Sequence, residues 1–156
     1  MKIPTALVSS GIVGLALFVA QPLQAQSDGC GLLKPAEVTP LLGASPVGKP
    51  VGSGCSWTAA GSTKKLIVIK PRTGGPAAET AFAGARNNAA REGTAKVTDE
   101  PGIGDKAFTS LTSFGVAAMM LKGGRLLQLQ YWTGADGTAK DRDALRPVAK
   151  AAIAAF

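Results

Sequence analysis

The chain has 156 residues, a formal net charge of +7 and no histidine. The missing histidine excludes Ser-His-Asp and Cys-His catalytic sites, histidine-based zinc hydrolases and the commonest general base near neutral pH. The basic charge suits an anionic partner, but the positive residues are scattered and only 5% of the residues are aromatic. Nucleic-acid binding is therefore not predicted, and neither is a catalytic residue, a metal site or a cofactor.

Residues 1–25 have the pattern of a secretory signal peptide. Lys2 precedes an uncharged stretch with an apolar centre at 12–20, and Pro22 then interrupts the apolar helix before the small residue Ala25. This arrangement predicts cleavage after Ala25. The alternative is an uncleaved membrane anchor, but the apolar centre is shorter than the ~20 residues that a spanning helix requires.

The remaining residues, 26–156, have the length of one domain. We predict that they form a single α+β domain, released in the periplasm or outside the cell. Lipidation is not predicted, because the charged Asp28 lies where a lipid-attachment sequence has small and apolar residues before its cysteine. A stable membrane anchor is therefore not expected, and the sequence predicts no oligomeric state.

Cys30 and Cys55 are the two cysteines of the chain. An even number of cysteines in a small exported domain predicts a disulfide. Closing this loop is expected to stabilise the fold by about 3–4 kcal/mol. The spacing does not match a C-x-x-C redox motif.

Hydrophobic periodicity and turn residues predict the element order α-β-β-α-β-β-β-α. The predicted helices cover 35–43, 76–92 and 141–156. The predicted strands cover 55–58, 64–70, the end of 96–108, 114–121 and 126–132, and an extended loop covers 44–53. The apolar middle of 64–70 predicts a central strand that is covered on both faces. Runs of neighbouring strands interrupted by helices predict an antiparallel sheet flanked by helices.

Three short motifs resemble those of one family. Cys30-Gly-Leu-Leu-Lys-Pro-Ala-Glu-Val with Leu-Leu-Gly at 41–43 resembles its opening helix, Gly-Cys-Ser-Trp at 54–57 its second cysteine, and Pro-Gly-Ile-Gly-Asp-Lys-Ala-Phe at 101–108 its Gly-x-Gly-Asp-x-Ala-aromatic stretch. The family consists of small exported domains of unknown function, common among actinobacterial lipoproteins, and related domains have a PsbP-like fold. The resemblance implies that fold and a disulfide, but no reaction. This chain lacks the family's lipid-attachment sequence.

Two groups of residues are candidates for ligand contacts. Arg72, Gly74 and Gly75 precede the helix predicted to begin at residue 76, and helix amides with a nearby arginine bind anions. Arg86, on the same helix, is a further candidate for an anion or partner contact. The alternative for this segment is an ordinary glycine-rich start of a helix.

Trp57 and Trp132 are candidates for the lining of a ligand cleft. Alternatively, both fill the core, or each has one edge exposed.

Asp99, Glu100 and Asp105 are the acidic residues that come nearest to the paired carboxylates of a catalytic site. Adjacent residues of an extended segment point in opposite directions, and Asp105 is well placed to accept hydrogen bonds from backbone amides of a turn. The turn interpretation is therefore preferred to a catalytic pair of carboxylates.

These observations predict a non-enzymatic exported protein that binds a partner protein or an anionic envelope component through the sheet or a basic edge. The alternative is a carrier of a small ligand, with a pocket between the sheet and a helix. A third hypothesis is a hydrolase that uses Ser and Lys or carboxylates.

Overall fold

The fold is built on an antiparallel sheet. The computed structural model describes residues 29–91 and 96–156, and within them it contains seven strands and three α-helices. The strands are β1 (Val47–Val51), β2 (Gly54–Thr58), β3 (Lys65–Ile69), β4 (Val97–Asp99), β5 (Lys106–Thr112), β6 (Gly115–Lys122) and β7 (Arg125–Trp132). The helices are α1 (Pro35–Leu42), α2 (Pro76–Arg91) and α3 (Ala139–Ala155), and a short 3-10 helix at Gly29–Leu32 precedes α1. The strand order is β1-β2-β3-β7-β6-β5-β4.

The predicted α+β class, with an antiparallel sheet flanked by helices, is confirmed. The two edge strands differ from the prediction. β1 lies inside 44–53, which was predicted to be a loop, and that prediction is wrong. Gly48 and Pro50 obscure the strand pattern, but an edge strand tolerates proline because one side of it forms no ladder hydrogen bonds. β4 is only three residues long, at the opposite edge.

One face of the sheet is fully covered. α1, α3 and the 3-10 helix pack on it, over alternate strand residues that are buried, among them Trp57, Leu66, Leu129 and Tyr131. The Tyr131 hydroxyl donates a 3.0 Å hydrogen bond to the carbonyl oxygen of Leu41 and so joins β7 to α1. This side contains the main hydrophobic core.

The Cys30–Cys55 disulfide is confirmed, and it joins the 3-10 helix to β2. Cys55 is fully buried in the main core. Gly48 lies directly over this bond, because a Cβ atom there would be 3.0 Å from both the Cys55 sulfur and the Trp57 ring. Glycine therefore lets β1 pack closely on the disulfide.

The end of α3 is held by two basic side chains. Lys122 Nζ donates to the carbonyl oxygens of Ile153 at 2.8 Å and Ala154 at 3.2 Å. Arg125 donates to the carbonyl oxygen of Phe156 and lies over its ring, 4.5 Å from the centroid. Positive charge at the carboxyl end of a helix complements the helix dipole and satisfies its unpaired carbonyl groups.

The predicted signal peptide, residues 1–25, lies outside the described residues. Within 29–91 and 96–156, no helix has the length and apolar character needed to cross a membrane.

Candidate binding surface

Helix α2 covers only part of the second face of the sheet. Phe82 meets Phe108 edge-on, with ring centroids 5.3 Å apart, and Ala78, Leu121 and Leu126 complete this small core. These contacts place α2 over β4 to β7 at one end of the face. The β1-β2-β3 side of the same face has no helix over it among the described residues.

We call this uncovered region the open half-face. Strand alternation and the pairing register assign its members: Val47, Lys49, Val51, Ser56, Thr58, Lys65, Ile67, Ile69, Gln130 and Trp132. On β3, Leu66 and Val68 are buried against the main core, whereas Ile67 and Ile69 are only half-buried. β3 is central in the sheet, as predicted, but the prediction that both of its faces are covered is wrong, because α2 lies over the other half of the sheet.

A stacked aromatic pair marks one end of the open half-face. Phe114, in the turn between β5 and β6, stacks on Trp132 with ring centroids 5.3 Å apart and an angle of 24° between the planes. Lys65 Nζ lies over the Trp132 ring, 5.3 Å from its centroid. The side chains of Phe114 and Trp132 remain 57% and 36% exposed. Aromatic residues are normally buried, and two exposed rings in contact are typical of a binding surface.

The turn that carries Phe114 is firmly held. Phe114 N–H donates to Thr112 Oγ1 at 3.3 Å, and Thr112 Oγ1 donates to the carbonyl oxygen of Gly115 at 3.1 Å. Thr133 N–H donates to the carbonyl oxygen of Phe114 at 2.9 Å, and Gly137 N–H to that of Thr112 at 2.8 Å. The exposed ring is therefore displayed by a well-bonded turn. A shallow hollow of about 150 Å³ lies beside it, lined in part by Trp132 and Gln130.

The open half-face is free of acidic residues. Residues 38–78, which include β1, β2 and β3, contain five lysines and arginines and no Asp or Glu. Residues 106–135, which include β6 and β7, also contain no Asp or Glu. Lys49 and Lys65 lie on the open half-face, and Lys64 is exposed at the start of β3. A surface with cations and without anions attracts a negatively charged partner.

The two tryptophans do not line one cleft. Trp57 pairs with Leu66, which pairs with Tyr131, so Trp57 lies on the covered face, whereas Trp132 follows Tyr131 and lies on the opposite one. Trp57 is buried in the core, and its Nε1 has no hydrogen-bond partner there. Only Trp132 belongs to the candidate surface.

The two glycines of the predicted anion contact lie against the β6–β7 turn. Gly75 N–H donates to the carbonyl oxygen of Gly124 at 2.8 Å, and Gly74 forms a β-bridge with Arg125. The Gly75 amide is thus already satisfied by the protein. Arg72 is exposed nearby, and the anion contact stays a prediction.

Arg86 forms an ion pair with Asp99, and its contact with an anion or a partner stays a prediction. Its Nε and Nη2 each donate to one Asp99 oxygen at 2.9 Å. This bidentate hydrogen bonding holds the pKa of Asp99 below its ordinary value and raises that of Arg86. A second ion pair, from Lys106 to Glu79 at 2.9 Å, also joins α2 to the sheet.

A cavity of about 490 Å³ lies beside these ion pairs, between α2 and the turn that joins β4 to β5. Phe82, Ile103 and Ala107 contribute apolar walls, and Arg86 and Asp99 border it. A smaller cavity, of about 110 Å³, lies between α2 and the sheet beside Ala89 and Phe108. Both cavities match the predicted pocket between the sheet and a helix.

The three clustered acids have separate partners. Asp99 faces α2, whereas Glu100 is buried and pairs with Arg146 of α3 at 3.2 Å. Asp105 accepts a 2.7 Å hydrogen bond from the backbone N–H of Gly123, as the turn interpretation predicts. Adjacent acids therefore point to opposite faces. In the described part of the chain, no group of acids and cysteines is arranged to hold a metal ion.

Trp132 is the member of the open half-face that the sequence interpretation named as a candidate; the others, and the adjacent Phe114, were missed. Phe114 was placed at the start of a strand, and only the turn reveals its exposure. A usable signal was present, because an aromatic residue between Ser113 and Gly115 is unusual in a short polar turn.

No protein-family model, curated protein or solved structure matches this chain. The resemblance to the small exported domains, and with it the PsbP-like fold, therefore stays a prediction.

Proposed function

We propose that this is an exported, non-enzymatic protein that binds an anionic component of the cell envelope through the open half-face. One observation carries the proposal: exposed aromatic and aliphatic side chains lie beside lysines on a surface whose strands contain no acid. Apolar contacts supply affinity, and the lysines select a negatively charged partner.

The predicted signal peptide and the disulfide support the proposed location. A bond between Cys30 and Cys55 persists in an oxidising compartment and is rare in the cytosol. Outside the cytoplasm, the abundant polyanions are envelope polymers and lipid headgroups rather than nucleic acids.

The test is binding to a soluble polyanion and to anionic vesicles, measured as a function of salt. Lys49→Gln combined with Lys65→Gln removes two charges from the open half-face. Lys140→Gln combined with Lys150→Gln is the matched control, since it makes the same change in net charge on α3, where both lysines are exposed.

The first pair of substitutions is expected to weaken binding about 25-fold, from roughly 1 kcal/mol for each lysine. The control pair should have a much smaller effect, and high salt should weaken binding of the wild type. Equal losses in the two double variants would assign binding to net charge alone and contradict the proposal. Binding to neither polyanion nor vesicles, with an envelope protein captured instead by crosslinking, would identify a protein partner.

The second candidate function is that of a small-ligand carrier, and the cavity beside α2 is the observation that favours it. Its apolar walls suit a small amphiphile. Native mass spectrometry of protein recovered from its own envelope should then show a defined added mass, and Lys106→Trp, at an exposed position that lines the cavity, should remove it. Recovery of unmodified protein mass alone would contradict this function.

A further inference from the structure

We infer that the end of the open half-face formed by Val47, Phe114 and Trp132 inserts into the headgroup region of an anionic lipid bilayer. This inference rests on the proposed function and names lipid as the anionic component. The association is peripheral and reversible.

The pairing register aligns the residues of this end. Val47 pairs with Thr58, Thr58 with Lys65, Lys65 with Trp132, and Trp132 with Gly115. At about 4.8 Å between strands, this row is about 19 Å wide. Val47 is 56% exposed at one end of the row, and Phe114, the neighbour of Gly115, lies at the other. The exposed apolar groups therefore lie along a line at one end of the sheet, a shape that fits a flat surface.

The chemistry of the aromatic pair suits a membrane interface. Phe114 is apolar and displayed on the well-bonded turn, so little conformational freedom is lost when it inserts. Trp132 has an apolar ring with one N–H group, which favours the boundary between headgroups and acyl chains. Lys65 Nζ lies 5.3 Å from the centroid of this ring, and its long, flexible side chain lets the ammonium group reach a lipid phosphate at the same boundary.

Charge favours an anionic surface over a neutral one. Lys65 lies in the row, Lys64 is next to it, and Lys49 lies one row further along the same face. One acid, Asp136, is present in the loop after β7. Each lysine near an anionic membrane increases the partition of the protein from water onto that membrane about fivefold. Three lysines therefore outweigh this single acid.

Two other occupants fit less well. A stable complex with a second copy buries about 800 Å² on each partner, and two copies of this acid-free face would bring their lysines together with no carboxylate to offset them. A sugar would stack on a free aromatic face, but the Trp132 ring already has Phe114 stacked on it and Lys65 over it.

The experiment compares the protein with vesicles of phosphatidylcholine alone and of phosphatidylcholine with 30% phosphatidylglycerol. Sedimentation measures partition, and bromine on the acyl chains reports by quenching whether Trp132 enters the bilayer. Trp57→Phe leaves Trp132 as the one tryptophan, and the same quenching of wild-type protein keeps the result independent of that variant's stability.

Val47→Ser and Val51→Ser form a matched pair. The two valines lie at opposite ends of β1, on the same face, and are 56% and 57% exposed. We expect Val47→Ser to lower the partition of the protein onto anionic vesicles about threefold and Phe114→Ser about tenfold. The partition of Val51→Ser should be close to that of the wild type. Circular dichroism checks that each variant is folded.

Quenching of Trp132 on anionic vesicles, together with this order of effects, supports the inference. Polyanion binding that depends on Lys49 and Lys65, without vesicle binding, would overturn the inference and leave the proposed function standing. Binding to neither would overturn both. A concentration-dependent dimer that Phe114→Ser abolishes would assign this end to a second copy instead. Equal effects of the two valine substitutions would also refute the assigned orientation.

Discussion

Reduction of the Cys30–Cys55 disulfide tests how β2 and the 3-10 helix are held together. The two cysteines are 25 residues apart in sequence, and the loop between them contains α1 and β1. In the chain-entropy model, closing a loop of this length removes enough freedom from the unfolded chain to stabilise the fold by about 3.5 kcal/mol at 25 °C. We therefore expect reduction to lower the free energy of unfolding by about this amount.

The assay is urea denaturation of oxidised and reduced protein, followed by circular dichroism. Reduction leaves both sulfurs in place, so it removes the cross-link without emptying the core. Cys30→Ala combined with Cys55→Ala removes the sulfurs as well, and because Cys55 is fully buried this variant should lose about 1 kcal/mol more. The double variant should not respond to the reductant, which controls for other effects of that reagent.

A loss below about 1 kcal/mol on reduction would refute the reasoning, because the loop would then be ordered without its cross-link. A steeper dependence of the unfolding free energy on urea after reduction would show, in addition, that the unfolded state has become more expanded. A loss near the expected value would also place the protein at a disadvantage in a reducing compartment, in agreement with the proposed export.

Two further predictions concern the sheet and helix α2, which packs on it. Gly115→Ala should destabilise the protein by about 3 kcal/mol in urea denaturation, because φ is 143° there and a Cβ atom would overlap a carbonyl oxygen of β7. Gly84→Ala, at an open position of α2, should instead stabilise it by about 0.5–1 kcal/mol, and the opposite order would refute the packing described here. Because Arg86 lowers the pKa of Asp99, their pair stabilises the fold above the ordinary Asp value of 3.8, and this contribution disappears as pH falls through the lowered pKa. Asp99→Asn should therefore be less stable than wild type at about pH 7 but not at about pH 2, and a difference that persists at the lower pH would contradict the pairing.

Local sequence patterns predict the elements whose turn residues and hydrophobic alternation lie within the element itself. The β6–β7 hairpin follows from Gly123-Gly124, whose φ angles of 56° and 67° are those that paired glycines supply in a tight turn. The alternation of Leu127 and Leu129 with Gln128 correctly separates the buried and half-buried faces of β7. Two cysteines and a predicted export signal were enough to predict the disulfide.

The edge strands could not be predicted in this way. β1 has Gly48 where the disulfide and Trp57 need space and Pro50 where an edge leaves one side unpaired. Both residues indicate a loop when read locally, and only the pairing with β2 makes them acceptable in a strand. The Arg86–Asp99 ion pair could not be predicted for the same reason, because Asp99 is brought to α2 by the folding of β4.

The sequence by itself determined the α+β class, the cross-link and the positive charge, because each depends on composition or on spacing along the chain. Only the tertiary structure decided which residues form the open half-face. The position of α2 across the sheet leaves one face of β1, β2 and β3 uncovered, and the register aligns Val47, Lys65 and Trp132 in one row. Exposure of Phe114 likewise depends on a turn that is held by Thr112, which precedes β6, and by Thr133, which follows β7. The solvent accessibility of a side chain depends on which residues pack over it. Those residues are distant in sequence and are brought there by the tertiary fold.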